Sequence, residues 1–415
     1  MKKALVLKPE YYTSFACKGS ECRQTCCQEW AITLAKEEYR KIQNRIRERE
    51  GFSEQKYFKK MPPEQRRNES YMKMLLDNEK KCLFLNKQKL CGLQCAFGAD
   101  ILPDTCIRFP RQIFENYSLT CATLSPACER TLEMLPVDRS LTFEMQDEDI
   151  EHAFPKRISI QQIYPKEIYP YATYFQDIYS MCILILQAQD ISLEDRMILL
   201  GMGLKNVISL GEERKWEQIP GYIDTYLSKL SELEEVDTLL PQFSPNLSAL
   251  FNNFLMADNE QEGSTSSYQK VIDRVKEILN ISYETEGDVR QVSAQSFADY
   301  EEKKNCFANL MEDKPFFMEN LLMSIFTYKN IPFSSELIGG IWENYIYLCW
   351  IYSSLKFVLT VCAEDIQSQR ELIDYCVPLL RRWTHNGGLS KTFVKEFKKN
   401  SSNSLAHMAV LLKSC

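Results

Sequence analysis

From residue 171 onward, apolar positions recur at helical spacing in one segment after another. The periodicity predicts helices over 172–189, 193–204, 216–230, 248–256, 268–279, 300–310, 314–328, 335–359, 364–383 and 389–412, with polar breaks such as 258–267 between them. Strand signals are few in this part, and no fixed period marks a solenoid. The most apolar stretch, 346–361, carries Lys356 within it. A membrane-spanning helix needs about 20 unbroken apolar residues, so this stretch is expected to be a buried core helix. The first 135 residues are patterned differently. An aromatic, extended segment over 9–15 and a brief alternation over 30–34 precede a helix over 36–50, with Tyr39, Ile42 and Ile46 on one face and Gly51 ending it. A second, polar helical piece is expected around 63–77. Short apolar pieces bounded by turn residues follow, then an extended segment over 114–124 and a helix over 127–134. Between 136 and 170 the chain becomes acidic and proline-punctuated. The expected organisation is mainly α: an irregular cysteine-rich metal- or cluster-binding domain over 1–135, a linker over 136–170 and a larger all-helical body over 171–415.

At 415 residues the chain can bury a large core without covalent staples. The N-terminal apolar run is cut short by Lys8 and Pro9, too early for a signal peptide, so the expectation is a cytoplasmic protein whose thiols stay reduced. The formal charge of −7 is unevenly spread. Residues 1–135 hold 24 Lys plus Arg against 17 Asp plus Glu, which leaves 26 against 40 for the remainder. Nucleic acid is a poor guess for a chain of pI near 5.4. With 14 glycines, and only Gly201-Met202-Gly203 resembling a cluster of them, no dinucleotide fingerprint or P-loop is present. Three histidines leave no room for a His-based zinc hydrolase.

The candidate chemistry lies in sulfur. Ten of the 16 cysteines fall within the first 128 residues, four of them as Cys17-x4-Cys22-x3-Cys26-Cys27. Thiols at such spacing converge only around a metal, an iron–sulfur cluster or disulfides, and a reducing compartment favours the first two. Lys18, Arg23, Arg108 and Arg111 supply basic surroundings that would stabilise bound thiolates. Cys128, at the start of a helix, is placed to ionise. The six later cysteines are scattered singly.

Three sets of residues give the chain a family resemblance: Cys17-x-Gly19-x-x-Cys22-x-x-x-Cys26-Cys27-x-x-Trp30; Cys82-x-Phe84-Leu85 with Leu90-Cys91; and Asp104-Thr105-Cys106 running into Phe109-Pro110-Arg111. With weaker echoes at Ser118-Leu119-Thr120, at Cys128 after Ser125-Pro126, at Glu343-Asn344-Tyr345 and at Arg381 with His385-Asn386, the chain resembles the bacterial flagellin lysine N-methylase family and its zinc- or iron-chelating cysteine-rich module. The resemblance implies methyl transfer from S-adenosylmethionine to lysine ε-amines of flagellin. It also implies an iron–sulfur cluster, 4Fe-4S in expected form, with zinc as the alternative. The metal ligands it carries over are Cys17, Cys22, Cys26, Cys27, Cys82, Cys91, Cys106 and Cys128, more than one cluster needs. Cys95 and Cys121 fall outside the pattern and are expected to be buried small hydrophobes.

Methyl transfer to lysine requires a neutral amine, although a free lysine titrates near 10.4. The site must desolvate the amine or offer a base, for which His385 is the candidate against the reading of a core or capping histidine. Arg108 and Arg111 are candidates for holding the cofactor carboxylate, or for balancing cluster charge. Tyr11 and Tyr12 could line a lysine channel or simply pack. The alternative function is a non-catalytic iron–sulfur or zinc module whose helical body binds a protein partner.

Overall fold

The computed structural model describes residues 3–30, 32–47, 54–149, 159–161, 164–231, 245–257, 266–280, 294–337, 339–385, 394 and 404–415. Its strands are β1 (Lys3–Pro9), β2 (Thr33–Leu34), β3 (Phe58–Lys60), β4 (Met72–Met74), β5 (Arg111–Glu115), β6 (Thr120–Leu124), β7 (Phe143–Asp149) and β8 (Ser159–Gln161). The helices of the N-terminal part are α1 (Lys36–Arg47), α2 (Gly92–Phe97), α3 (Asp104–Arg108) and α4 (Glu129–Glu133), besides a single helical turn over Glu54–Tyr57. Those of the body are α5 (Phe175–Leu186), α6 (Leu193–Glu212), α7 (Ile219–Ser231), α8 (Leu247–Ala257), α9 (Ser267–Ile278), α10 (Ala294–Met311), α11 (Phe317–Tyr328), α12 (Ile341–Val361), α13 (Gln369–His385) and α14 (Leu405–Ser414). The protein is mainly α, as the periodicity predicts. Among the described residues no helix is long and apolar enough to cross a membrane.

The axis of the body is α12, buried along nearly its whole length, which is why it is apolar all round rather than amphipathic. It touches α6, α8, α9, α10, α11, α13 and α14. Several flanking helices begin at a serine that satisfies a first-turn amide: Ser192 on Asp195 N at 3.3 Å, Ser266 on Gln269 N at 3.1 Å and Ser404 on His407 N at 3.2 Å.

A five-stranded sheet, ordered β7-β1-β6-β5-β8, joins this body. β6 is buried at every position, between the sheet's neighbours and α11, where Thr123 and Thr327 share a hydrogen bond of 3.1 Å. β1 lies parallel to β6 and antiparallel to β7, with Lys3 opposite Asp149 and Pro9 opposite Phe143. The stretch 136–170, expected as a linker, thus carries two of the sheet's strands. Its acidic residues lie on an edge strand with an exposed face, a composition that reads as a solvated segment when pairing is not visible. Asn320 on α11 fastens the approach to β7, accepting from Leu141 N at 2.8 Å and donating to the carbonyls of Pro136 and Arg139 at 2.8 Å each.

Among the described residues the buried apolar side chains form two cores. The larger runs from Val6 and Leu7 through the sheet to Leu412, and takes in Tyr11 and Tyr12, which pack instead of lining a channel. The smaller spans Ile32 to Ile101 and is built on α1 and the three-stranded sheet β2-β4-β3. Here the expected helix around 63–77 is absent. Residues 63–65 form a turn, and Met72-Lys73-Met74 alternates buried, exposed, buried as β4. This unit is inserted between β1 and β5.

Candidate metal centre and pocket

The cysteine knuckle is held in place by a carboxylate. Glu129, on α4 and 1% exposed, accepts from Arg23 N at 2.8 Å, Gln24 N at 2.7 Å and Lys18 Nζ at 2.9 Å. Lys18 also reaches Glu133 at 2.6 Å, and Arg23 bridges to Asp374 on α13 at 3.1 Å. Lys18 and Arg23, expected as counter-charges for thiolates, are therefore taken up in docking the knuckle. On the other side Cys82 N donates to Cys27 O at 2.7 Å. Gly92 lets the next cysteine loop close: its N–H donates to Phe84 O at 2.6 Å, where a Cβ would stand 3.0 Å from that oxygen. Asn86 Oδ1 shapes the same loop by accepting from Gln88 N and Leu90 N at 3.0 and 2.9 Å.

By electrostatic proximity the eight motif thiols fall into two neighbourhoods. Cys17, Cys22 and Cys128 influence one another. Cys27 is the common neighbour of Cys82, Cys91 and Cys106. Cys26 joins the two, beside Cys27 first and then Cys128 and Cys106, although among the described residues no three Cys, His, Asp or Glu side chains stand in a metal-coordinating arrangement. Burial pushes Cys22 and Cys82 up to about 12. Cys27 goes the other way, to about 7, chiefly through the hydrogen bond from Cys26. Cys128 caps α4, and its thiol is raised because burial outweighs the backbone amides of Thr131 and Arg130. Cys121 is buried as expected; Cys95 is exposed, contrary to expectation, since it follows the buried Leu93 by two positions on the short α2.

A pocket of about 170 Å³ opens beside the knuckle, lined by Trp30, Thr105, Arg108, Phe109, Arg111, Tyr328, Glu336 and His385, with others. It brings together the three residues singled out as His385, Arg108 and Arg111. Its walls are aromatic: Trp30 lies 4.6 Å from His385 and 5.3 Å from Phe109, centroid to centroid, and Tyr328 lies 5.7 Å from His385. Trp30 is anchored by donating Nε1–H to Cys26 O at 2.5 Å. Both imidazole nitrogens of His385 meet hydroxyls, Nε2 at 3.1 Å from Ser125 Oγ and Nδ1 at 3.4 Å from Tyr328 OH. Burial, aided by the charges of Lys329 and Arg381, lowers His385 to about 3, so it is neutral at pH 7. Arg111 donates to Phe15 O at 3.1 Å and stacks on the Phe15 ring, while Arg108 donates to Asp104 O at 3.3 Å. Asn386 lies outside the described residues. A larger cavity, about 640 Å³, sits at the opposite end of β5 and β6 and is lined by Glu115, Tyr117, Tyr164 and Tyr169 among others. Among the described residues it includes neither a cysteine nor a cation, so the smaller pocket is the better match to the chemistry.

A model of the FliB lysine N-methylase C-terminal domain matches residues 179–411, more than half of the chain. The chain belongs to the FliB lysine N-methylase family. It is 30% identical over 129 residues to the lysine-N-methylase of Salmonella typhimurium, an alignment covering 31% of each chain. The lysine-N-methylase of Salmonella choleraesuis matches to the same extent. The flagellar biosynthetic protein FliU of Salmonella muenchen matches at 30% over 129 residues, 75% of its length. The chain thus spans about a third of the lysine-N-methylases it matches, and no solved structure matches it. In this FliB-family chain, Glu129 and Tyr328 were not legible as site residues. A carboxylate in the first turn of a helix reads as a solvated cap, and a tyrosine at a helix end reads as packing.

Proposed function

We propose that the chain is an S-adenosylmethionine-dependent methyltransferase acting on lysine side chains of flagellin. The observation that carries this reading is the aromatic pocket beside the knuckle, where Trp30, Phe109, Tyr328 and His385 meet Arg108 and Arg111. Family membership and the names of the relatives support it. At about 170 Å³ the pocket suits a lysine side chain and a sulfonium methyl, not a whole nucleoside donor. Aromatic faces attract sulfonium and ammonium cations. Arg108 and Arg111 offer guanidinium forks to the donor's carboxylate.

In the transfer, the amine nitrogen's lone pair forms the new C–N bond as the methyl–sulfur bond breaks, its electron pair returning to sulfur to leave a neutral thioether, and the methylated ammonium then releases its proton to solvent. The amine must arrive neutral. Desolvation among the rings favours that form. A neutral His385 held between two hydroxyls is a poor proton acceptor, so its role in this reading is to fix Tyr328 and keep the pocket wall uncharged. Cys17, Cys22, Cys26 and Cys128, and Cys27, Cys82, Cys91 and Cys106, would hold an iron–sulfur cluster or zinc, as donor type and number allow. A bound cluster would supply an electron-transfer centre and a rigid anchor for Trp30.

The test is mass spectrometry of flagellin co-expressed with the intact protein or with its Cys22→Ser variant. Stepwise gains of one methyl group with the intact protein only are expected. No gain with the metal-loaded intact protein would overturn the reading in favour of a non-catalytic module.

A further inference from the structure

Arg381 on α13 is 3% exposed, in a helix whose neighbouring Val377, Leu380 and Trp383 are wholly buried. A guanidinium so placed needs compensation. Its Nη2 donates to Gln24 O at 3.1 Å. Its Nη1 stands 3.5 Å from Glu29 Oε2 and makes no hydrogen bond among the described residues. Glu29 is not dedicated to it, because the Ser267 amide donates to the same carboxylate. Gln24 and Glu29 bracket Cys26-Cys27, and α13 packs on α4, which Cys128 caps, so the guanidinium lies in the field of those three sulfurs. Arg381 therefore stands where the two thiol neighbourhoods meet, with a buried N–H left over.

We propose that Arg381 is the buried counter-charge of the metal-bound thiolates, its Nη1–H donating to a sulfur at Cys26, Cys27 or Cys128. Metal-bound thiolates are anionic, and donors to their sulfurs tune both the potential of the centre and its hold on metal. The inference rests on the reading that these cysteines bind a cluster or metal. It assigns to the C-terminal body a direct part in the N-terminal centre.

The experiment uses full-length protein purified anaerobically, with Arg381→Gln and Arg381→Lys variants. Metal and sulfide analysis of the wild type comes first. A redox titration read by visible absorption and the rate of metal transfer to a chelator then follow, with circular dichroism to confirm folding. A lost cation next to the centre disfavours its reduced form, so Arg381→Gln should lower the reduced-to-oxidised ratio at fixed poise about tenfold or more. It should also release metal several times faster. Arg381→Lys, which keeps the charge but not the fork, should restore most of the ratio. A centre that holds zinc is judged by the chelator rate alone. An unchanged ratio and rate, with only lowered thermal stability, would show a staple between α13 and the knuckle and overturn the proposal. A wild type free of iron and zinc would overturn the cysteine reading itself, and Arg381's role with it.

Discussion

The neutrality of His385 can be measured through stability. The group titrates near 6.5 when solvated and near 3 in the fold. Between these values the unfolded chain binds the proton and the folded chain does not, so stability is full above pH 6.5 and falls as the pH drops toward 3. From RT ln(1 + 10^1), the loss at pH 5.5 is about 1.4 kcal/mol, and at pH 7.5 it is below about 0.1 kcal/mol. His385→Gln removes this titration while keeping a side chain able to meet the Ser125 and Tyr328 hydroxyls. The variant should be less stable than wild type at pH 7.5. Between pH 7.5 and 5.5, however, it should lose about 1.4 kcal/mol less, because every other titrating group is common to both proteins. Denaturant titrations at the two pH values read the difference. Parallel losses, within about 0.3 kcal/mol, would mean that His385 gains a proton freely in the fold and could act as a base after all.

Cys26→Ser or Cys27→Ser should strip bound metal from the protein, whereas Cys349→Ser and Cys376→Ser, both buried in the body, should not; metal analysis that found equal losses would refute the partition. Glu129→Ala leaves two amides without their acceptor and Lys18 with Glu133 alone, and should cost about 3 kcal/mol or more in thermal unfolding, with the knuckle the first region to gain hydrogen exchange. Gly201→Ala presses a methyl group against the Tyr345 hydroxyl and Leu405, and should destabilise by about 1–3 kcal/mol without altering metal content. Arg108→Gln should raise the KM for the methyl donor with little change in unfolding temperature, a split that a merely structural arginine would not give.

What could be read in advance follows from where each signal resides. Helices of the body were legible because a buried stripe repeats along them: Tyr268, Ile272 and Val275 mark α9, and the long apolar run in α12, interrupted at Lys356, announces its burial. The knuckle from Cys17 to Cys27 stood out by its spacing, whereas the full set of eight expected ligands came from the family resemblance. Strand pairing was not, since β1 finds its partners more than 100 residues away at β6 and β7, and nothing in Lys3–Pro9 names them. For the same reason the pocket could not be assembled in advance. Trp30 and His385 are separated by most of the chain and are brought together by the docking of Glu129 and α13 on the knuckle. Arg381 was visible as a family echo, but its burial against sulfur is a fact of packing.

The two hydrophobic cores do not merge, and the pocket lies where they abut. Trp30 leans on the smaller core, together with Cys82, Cys91 and Cys106, while Cys128 leans on the larger. Across this seam ion pairs such as Arg23 with Asp374 stand beside the ring contact of Trp30 with His385, and Cys26-Cys27 lies between them in the chain. A slip of one core against the other would therefore fall first on the contact between Trp30 and His385, which is the wall of the pocket itself.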